Sequence, residues 1–211
     1  MNLRSPSHAA GGSARWGSGL GLLLAPGAGA GRDQPGLVAF EEALEGTGVS
    51  VERMDFPYRR AGRRVPDRAP VLLAALVEAA VSLGGRCERI VVGGRSMGGR
   101  IASLAVATGL LTGSGLDVAG LVCISYPLHP PGRPDRLRVE HFGSLRVPTL
   151  FVSGTRDAFG TPEELAREVA AIGACVELAW LEGRDHSLKG AEPQVASVVV
   201  DWLQRLAADA Q

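Results

Sequence analysis

A strand, a glycine-flanked serine and a helix follow one another without a gap between residues 89 and 107, and few folds accommodate that succession. Ile90-Val91-Val92 is a β-branched run suited to a strand buried on both faces. Ile101-Ala102-Ser103-Leu104-Ala105-Val106-Ala107 has the composition of a helix, and Gly94-Arg95-Ser96-Met97-Gly98 between them fits Gly-x-Ser-x-Gly. At a strand-to-helix turn this pattern predicts a nucleophile elbow. The chain reverses so sharply that the serine backbone is strained and its hydroxyl is lifted above the sheet. The flanking positions must be glycine because a Cβ would strike the neighbouring strand or helix. With 29 glycines among 211 residues, chance supplies about 0.3 matches to so short a pattern. An incidental serine in a glycine-rich turn is therefore the competing reading, and the flanking strand and helix favour the elbow.

The same alternation runs along the chain. Strands are expected at 20–25, 49–56, 118–125, 148–153 and 176–181 besides the elbow strand. Helices are expected at 35–44, from Asp67 and Pro70 to Gly84-Gly85, after Thr161-Pro162-Glu163-Glu164, and at 193–208. Residues 1–17 are rich in Ser, Gly, Ala and Pro without periodicity and read as a flexible tail, which leaves 18–211 as one domain. Alternating strands and helices predict the α/β class, a mostly parallel sheet of about six strands flanked by helices. Ligands in such sheets bind beyond the carboxyl ends of the strands, so distant loops meet at one rim.

Charge excludes several partners. Lys and Arg number 22, Asp and Glu also 22, so no net field draws the chain to nucleic acid or an anionic membrane. No apolar run reaches membrane-span length, and the run from Leu20 to Ala25 is too short for a signal-peptide core. The expected location is cytoplasmic. Cys87, Cys123 and Cys175 are odd in number and lack metal-ligand spacing. Cys123 and Cys175 fall in apolar runs and read as small buried hydrophobes. No metal and no cofactor are expected.

A serine hydroxyl becomes a nucleophile when a base takes its proton and a third group orients that base. Behind an elbow the order is serine, acid, histidine. Of four histidines, His186 alone follows the sixth strand, where the base belongs. Asp157, in Gly154-Thr155-Arg156-Asp157 after the fifth strand, is the expected acid; Asp185 is the rival, disfavoured because adjacent loop residues rarely support one another. Two backbone donors should face the oxyanion. Met97 N–H is one, and the loop Gly27-Ala28-Gly29 supplies the other, from Ala28 with Gly29 as the alternative. That loop is not a dinucleotide fingerprint, since Arg32 stands where the third glycine belongs. Arg59 and Arg60, with Arg63, Arg64 and Arg68 nearby, could recognise a substrate carboxylate or phosphate, or simply pair with Asp55 and Asp67. Tyr126 and His129, after the fourth strand, are further candidates for lining the pocket.

Several strings together carry a family resemblance. They are Ala-Pro-Gly-Ala-Gly-Ala-Gly, Asp-Phe-Pro-Tyr-Arg-Arg, Gly-Gly-Arg-Ser-Met-Gly-Gly-Arg, Ser-Tyr-Pro-Leu-His-Pro-Pro-Gly, Gly-Thr-Arg-Asp-Ala-Phe-Gly and Leu-Glu-Gly-Arg-Asp-His. From Leu20 onward the chain resembles the small α/β-hydrolases grouped with testis-expressed protein thirty and the third subunit of the non-specific-lethal complex, and more distantly the dienelactone hydrolases. The resemblance implies an α/β-hydrolase fold with minimal or no cap, and Ser96, Asp157 and His186 as its catalytic triad. Two departures stand out. Pro26-Gly27 replaces the His-Gly of many relatives, and Ser96 replaces the cysteine nucleophile of dienelactone hydrolases. The expectation is a serine hydrolase acting on a small-molecule acyl substrate, a carboxylester or thioester, with an acyl-serine intermediate. The alternative is a non-catalytic member that keeps the fold as an interaction module.

Overall fold

The computed structural model describes Gly17 and residues 19–209. The expected tail thus lies almost wholly outside the described residues. Six strands form one all-parallel sheet: β1 (Leu20–Ala25), β2 (Ser50–Arg53), β3 (Arg89–Arg95), β4 (Val118–Ile124), β5 (Thr149–Gly154) and β6 (Val176–Leu181). Their spatial order is β2-β1-β3-β4-β5-β6. The helices are α1 (Pro35–Ala43), α2 (Pro57–Arg60), α3 (Ala69–Gly84), α4 (Met97–Ala107), α5 (Pro162–Val169) and α6 (Glu192–Ala208).

Parallel strands covered on both faces need apolar residues at successive positions, and the sequence supplies them. Leu22, Leu24, Val91, Val122, Ile124, Leu150 and Val152 point to one face, where Leu37 and Phe40 of α1 and Val199, Trp202 and Leu203 of α6 cover them. Leu23, Ala25, Val92, Leu121, Cys123 and Phe151 point to the other, against Leu72, Leu76 and Leu83 of α3 and Ile101 and Ala105 of α4. Each fully buried Leu, Ile or Val contributes roughly 1.5–3 kcal/mol over exposure. Truncating Leu23, which is 0 % exposed, should therefore cost about 3–4 kcal/mol.

Two expectations need correcting. The second strand is Ser50–Arg53 rather than 49–56. It lies at the sheet edge and pairs, among the described residues, with β1 alone; Met54 N–H makes a last bond to Leu24 O at 3.0 Å, and Met54 and Phe56 then pack into the core. Cys175 is exposed, not buried. It precedes β6, the opposite edge strand, so its apolar neighbours there are only partly covered. The segment from 126 to 141 contains no helix or strand, but Tyr126 and Leu128, with Phe142 beyond, anchor it in the core.

The chain leaves β1 toward β2 on one side, then returns to place β3 on the other. The gap between β1 and β3 is the point where the strand order reverses, and their carboxyl ends are where a ligand site is expected.

Candidate active site

Ser96 closes β3 and precedes α4 with φ 51° and ψ −114°. This is a left-handed conformation that a non-glycine residue adopts only when its surroundings impose it, at a cost of about 1–3 kcal/mol. The surroundings here are backbone. A Cβ on Gly94 or on Gly98 would overlap the carbonyl oxygen of Ala25, and one on Gly98 would also stand 2.8 Å from that of Pro26. The two glycines thus let β3 and α4 press against β1. Ser96 N–H donates to Ile124 O at 2.8 Å, tying the turn to β4 as well.

The loop after β6 brings His186 to this serine. Its Nε2 lies 2.9 Å from Ser96 Oγ, and its Nδ1 lies 2.8 and 3.0 Å from the two carboxylate oxygens of Asp157. A carboxylate only accepts, so Nδ1 carries the proton and Nε2 is left to accept from the serine hydroxyl. The Asp157 side chain is 1 % exposed, and Phe159 N–H donates to its Oδ1 at 2.8 Å. The Phe159 ring covers the imidazole, with centroids 4.0 Å apart and planes at 30°. Asp185, the rival acid, is engaged elsewhere: it accepts Ser187 N–H at 2.9 Å and Ser187 Oγ–H at 2.6 Å. Those bonds hold its carboxyl below the usual range.

The loop after β1 is fixed from both sides. Gly27 N–H donates to Gln34 Oε1 at 3.0 Å, and Gly29 N–H to the Tyr58 hydroxyl at 3.1 Å. Gly29 has φ 76°, a conformation suited to glycine. Neither Ala28 N–H nor Met97 N–H has an acceptor among the described residues. Gly29 is thereby occupied and Ala28 is available, on an exposed stretch of backbone.

Among the other expected site residues, Tyr126 and His129 are engaged in internal contacts, while Arg59 and Arg60 each make one side-chain bond to backbone. Tyr126 is 2 % exposed and donates to Arg138 O at 2.7 Å. His129 is buried, with Nδ1 2.8 Å from Pro130 O and Nε2 3.3 Å from Glu164 Oε2. Arg60 Nε donates to Asp55 O at 3.1 Å, and Arg59 Nη1 to Arg63 O at 3.2 Å. Arg63 pairs with Asp67 at 2.8 Å. Arg59 also borders a cleft with Gly31, Gln34 and Asp55, beside the loop after β1.

Three supporting residues escaped the sequence reading. Tyr58 and Gln34 hold the loop after β1, and Arg95 Nη2 donates to His186 O at 2.8 Å. Burial presses the Arg95 guanidinium below its usual value, partly offset by Asp157, Asp185 and Glu192. The Arg95 position, inside the elbow pattern itself, was the one available signal.

No group of three or more His, Cys, Asp or Glu side chains suited to a metal occurs among the described residues. No helix among them is long and apolar enough to cross a membrane.

The fold recurs in solved hydrolases of low sequence identity. One is a metagenome-derived lipolytic enzyme of the LipS and LipT pair, at 17 % identity over 90 % of this chain and 95 % of that one, with TM-score 0.72. The dienelactone hydrolase of Anabaena variabilis matches at 20 % identity over 90 % and 87 % of the two chains, with TM-score 0.69. The RedJ thioesterase of the prodiginine pathway in Streptomyces coelicolor matches at 17 % over 96 % and 91 %, with TM-score 0.67. The family model for the alpha/beta hydrolase domain matches residues 19–208. With that model spanning nearly the whole chain, and a six-stranded parallel sheet carrying a strained serine beneath it, the chain belongs to the alpha/beta hydrolase family.

Proposed function

We propose that the protein is a serine hydrolase that cleaves small carboxylesters or thioesters through an acyl-serine intermediate. The observation that carries this reading is the hydrogen-bonded chain from Ser96 Oγ through His186 to the buried Asp157 carboxylate. Ser96 Oγ attacks the acyl carbon as its proton passes to His186 Nε2. Asp157 accepts the Nδ1–H throughout and stabilises the imidazolium. The oxyanion forms against the N–H groups of Met97 and Ala28, each such donor being worth about 3 kcal/mol in well-studied hydrolases. His186 then protonates the departing alcohol or thiol. Water, deprotonated by the same nitrogen, attacks the acyl-serine, and a carboxylic acid leaves as Ser96 recovers its proton.

Arg59 and Arg60 are proposed to favour substrates with a remote carboxylate or phosphate, since both stand on the short helix beside the loop after β1. Tyr126 and His129 act by shaping the segment after β4 rather than by touching substrate. Within the family the chain groups with the small hydrolases around testis-expressed protein thirty, on the strings in which its elbow, Asp157 and His186 lie. Three free cysteines suit a reducing, cytoplasmic setting.

Incubation with a fluorophosphonate probe tests the reading. The account expects the wild-type protein to be labelled and Ser96→Ala to be inert. A folded wild-type protein that resists labelling would instead favour a non-catalytic interaction module.

A further inference from the structure

Beside the His186 loop lies a cavity of about 380 Å³ between α1 and the start of α6. This is near the lower end of the roughly 300–1,000 Å³ range of small-molecule sites. Neither Ser96, His186 nor Asp157 borders it. Its floor is closed by the core side chains Leu37, Phe40, Ile124, Leu188 and Val195, with Pro35 and Gly36 more open beside them. Leu188 is held there with φ 49°, again left-handed and non-glycine.

The ionised groups on the wall itself are two cations and one carboxylate, with Asp157 and Asp185 also within electrostatic reach of Arg95. Arg95 and Lys189 border the cavity against one carboxylate, Glu192. Arg95 is partly buried and makes no ion pair among the described residues. Its only hydrogen bond there is the one from Nη2 to His186 O. A guanidinium has five N–H donors in a fork that suits a carboxylate, and only one of them is bonded within the described residues. Lys189 is exposed and stands at the mouth.

We propose that this cavity binds an amphiphilic monocarboxylate, with the carboxylate between Arg95 and Lys189 and the alkyl chain against Pro35 and Gly36. Apolar burial supplies the chain's affinity, and the unpaired guanidinium selects the acid over the corresponding alcohol. The site also reaches the chemistry. Arg95 immediately precedes Ser96 and grips the backbone of His186, while a Cβ at Gly27 would stand only 3.4 Å from Arg95 Nη1. A carboxylate drawn onto Arg95 competes with the His186 carbonyl for the same donors. Arg95 is thus a positioning residue through which occupancy of the cavity slows turnover.

Octanoate and octanol, titrated calorimetrically into the protein, test the binding. Octanoate is expected to bind at least tenfold more tightly than octanol. Gly36→Leu adds bulk at the cavity wall: Gly36 borders the cavity, and a Cβ there meets nothing within 4 Å. This variant should lose octanoate binding while keeping wild-type circular dichroism. Arg95→Met, which keeps the bulk and removes the charge, should weaken octanoate at least tenfold and leave octanol unchanged. Equal affinity for acid and alcohol, or undiminished octanoate binding by both variants, would overturn the proposal. These outcomes do not depend on the serine-hydrolase reading. The kinetic arm does: octanoate should lower kcat with little change in KM for a neutral ester, and should not do so in Gly36→Leu. Competitive inhibition that persists in that variant would put the acid at Ser96 instead.

Discussion

Replacing Asp157 with Asn is predicted to cost about 10³–10⁴-fold in kcat while leaving the fold intact. The magnitude follows from which oxygen is pinned. Asp157 Oδ1 accepts the Phe159 N–H at 2.8 Å, so the amide oxygen of Asn must occupy that position to satisfy the same donor. Its NH₂ group then falls where Oδ2 was, 2.8 Å from His186 Nδ1. An NH₂ group donates, so Nδ1 must accept and the ring proton moves to Nε2. That nitrogen sits 2.9 Å from Ser96 Oγ and can no longer take the hydroxyl proton. The same exchange in serine proteases costs about 10⁴-fold, equivalent to about 5 kcal/mol at 1.36 kcal/mol per decade. Asn matches Asp in volume at a site only 5 % exposed, so the melting temperature should change little. The assay is hydrolysis of p-nitrophenyl acetate by both proteins at pH 7.5, with thermal unfolding followed in parallel. A folded Asp157→Asn enzyme within tenfold of wild-type kcat would refute the tautomer argument.

Other perturbations separate the site from its frame. Gly98→Ala drives a Cβ into the Ala25 and Pro26 carbonyls; with overpacking costing about 1–3 kcal/mol, calorimetry should show Tm falling by about 2–12 °C. Gly36→Ala, where nothing lies within 4 Å, is the control and should hold or raise Tm, because Ala favours a helix over Gly by about 1 kcal/mol. Burial, with Arg100 nearby, lowers the His141 imidazole from 6.5 to about 4. The unfolded chain therefore takes up that proton first as pH falls, and the stability this group contributes is present above about pH 6.5 and lost toward pH 4. Urea titrations should find the protein about 2 kcal/mol less stable at pH 5 than at pH 7.5 on this account, and His141→Gln should remove that part of the slope. Arg59→Ala should lower kcat/KM several-fold for an ester with a remote carboxylate and barely alter it for a neutral ester; equal effects on both would remove Arg59 from substrate recognition.

Much of the architecture could be read from residue order, because buried parallel strands announce themselves as continuous apolar runs. Leu20–Ala25 and Val176–Leu181 end where composition alone sets them, and Thr161 with Glu164 forms the capping box its spacing implies. The β2 boundary was not legible, because Met54 and Phe56 are as apolar as strand residues yet serve the core from beyond the end of the strand. Cys175 misled for the complementary reason: an apolar run at a sheet edge does not ensure cover. Ser96, Asp157 and His186 each follow a strand, so topology predicted their meeting at one rim. The hydroxyl of Tyr58, the amide of Gln34 and the guanidinium of Arg95 act through bonds to the backbone of residues 29, 7 and 91 positions away, respectively. Such bonds leave no local pattern, since the partner's identity is irrelevant when its N–H or C=O is what matters.

The central claim is that Ser96 becomes acylated during turnover. Rapid mixing of the enzyme with excess p-nitrophenyl acetate, quenched in acid before the steady state and analysed by peptide mass spectrometry, observes that event directly. The account predicts a stoichiometric burst of nitrophenol and one acetyl group on the peptide carrying Ser96, both absent in Ser96→Ala. Turnover without a burst and without acetyl on that peptide, or a burst that survives Ser96→Ala, would contradict it.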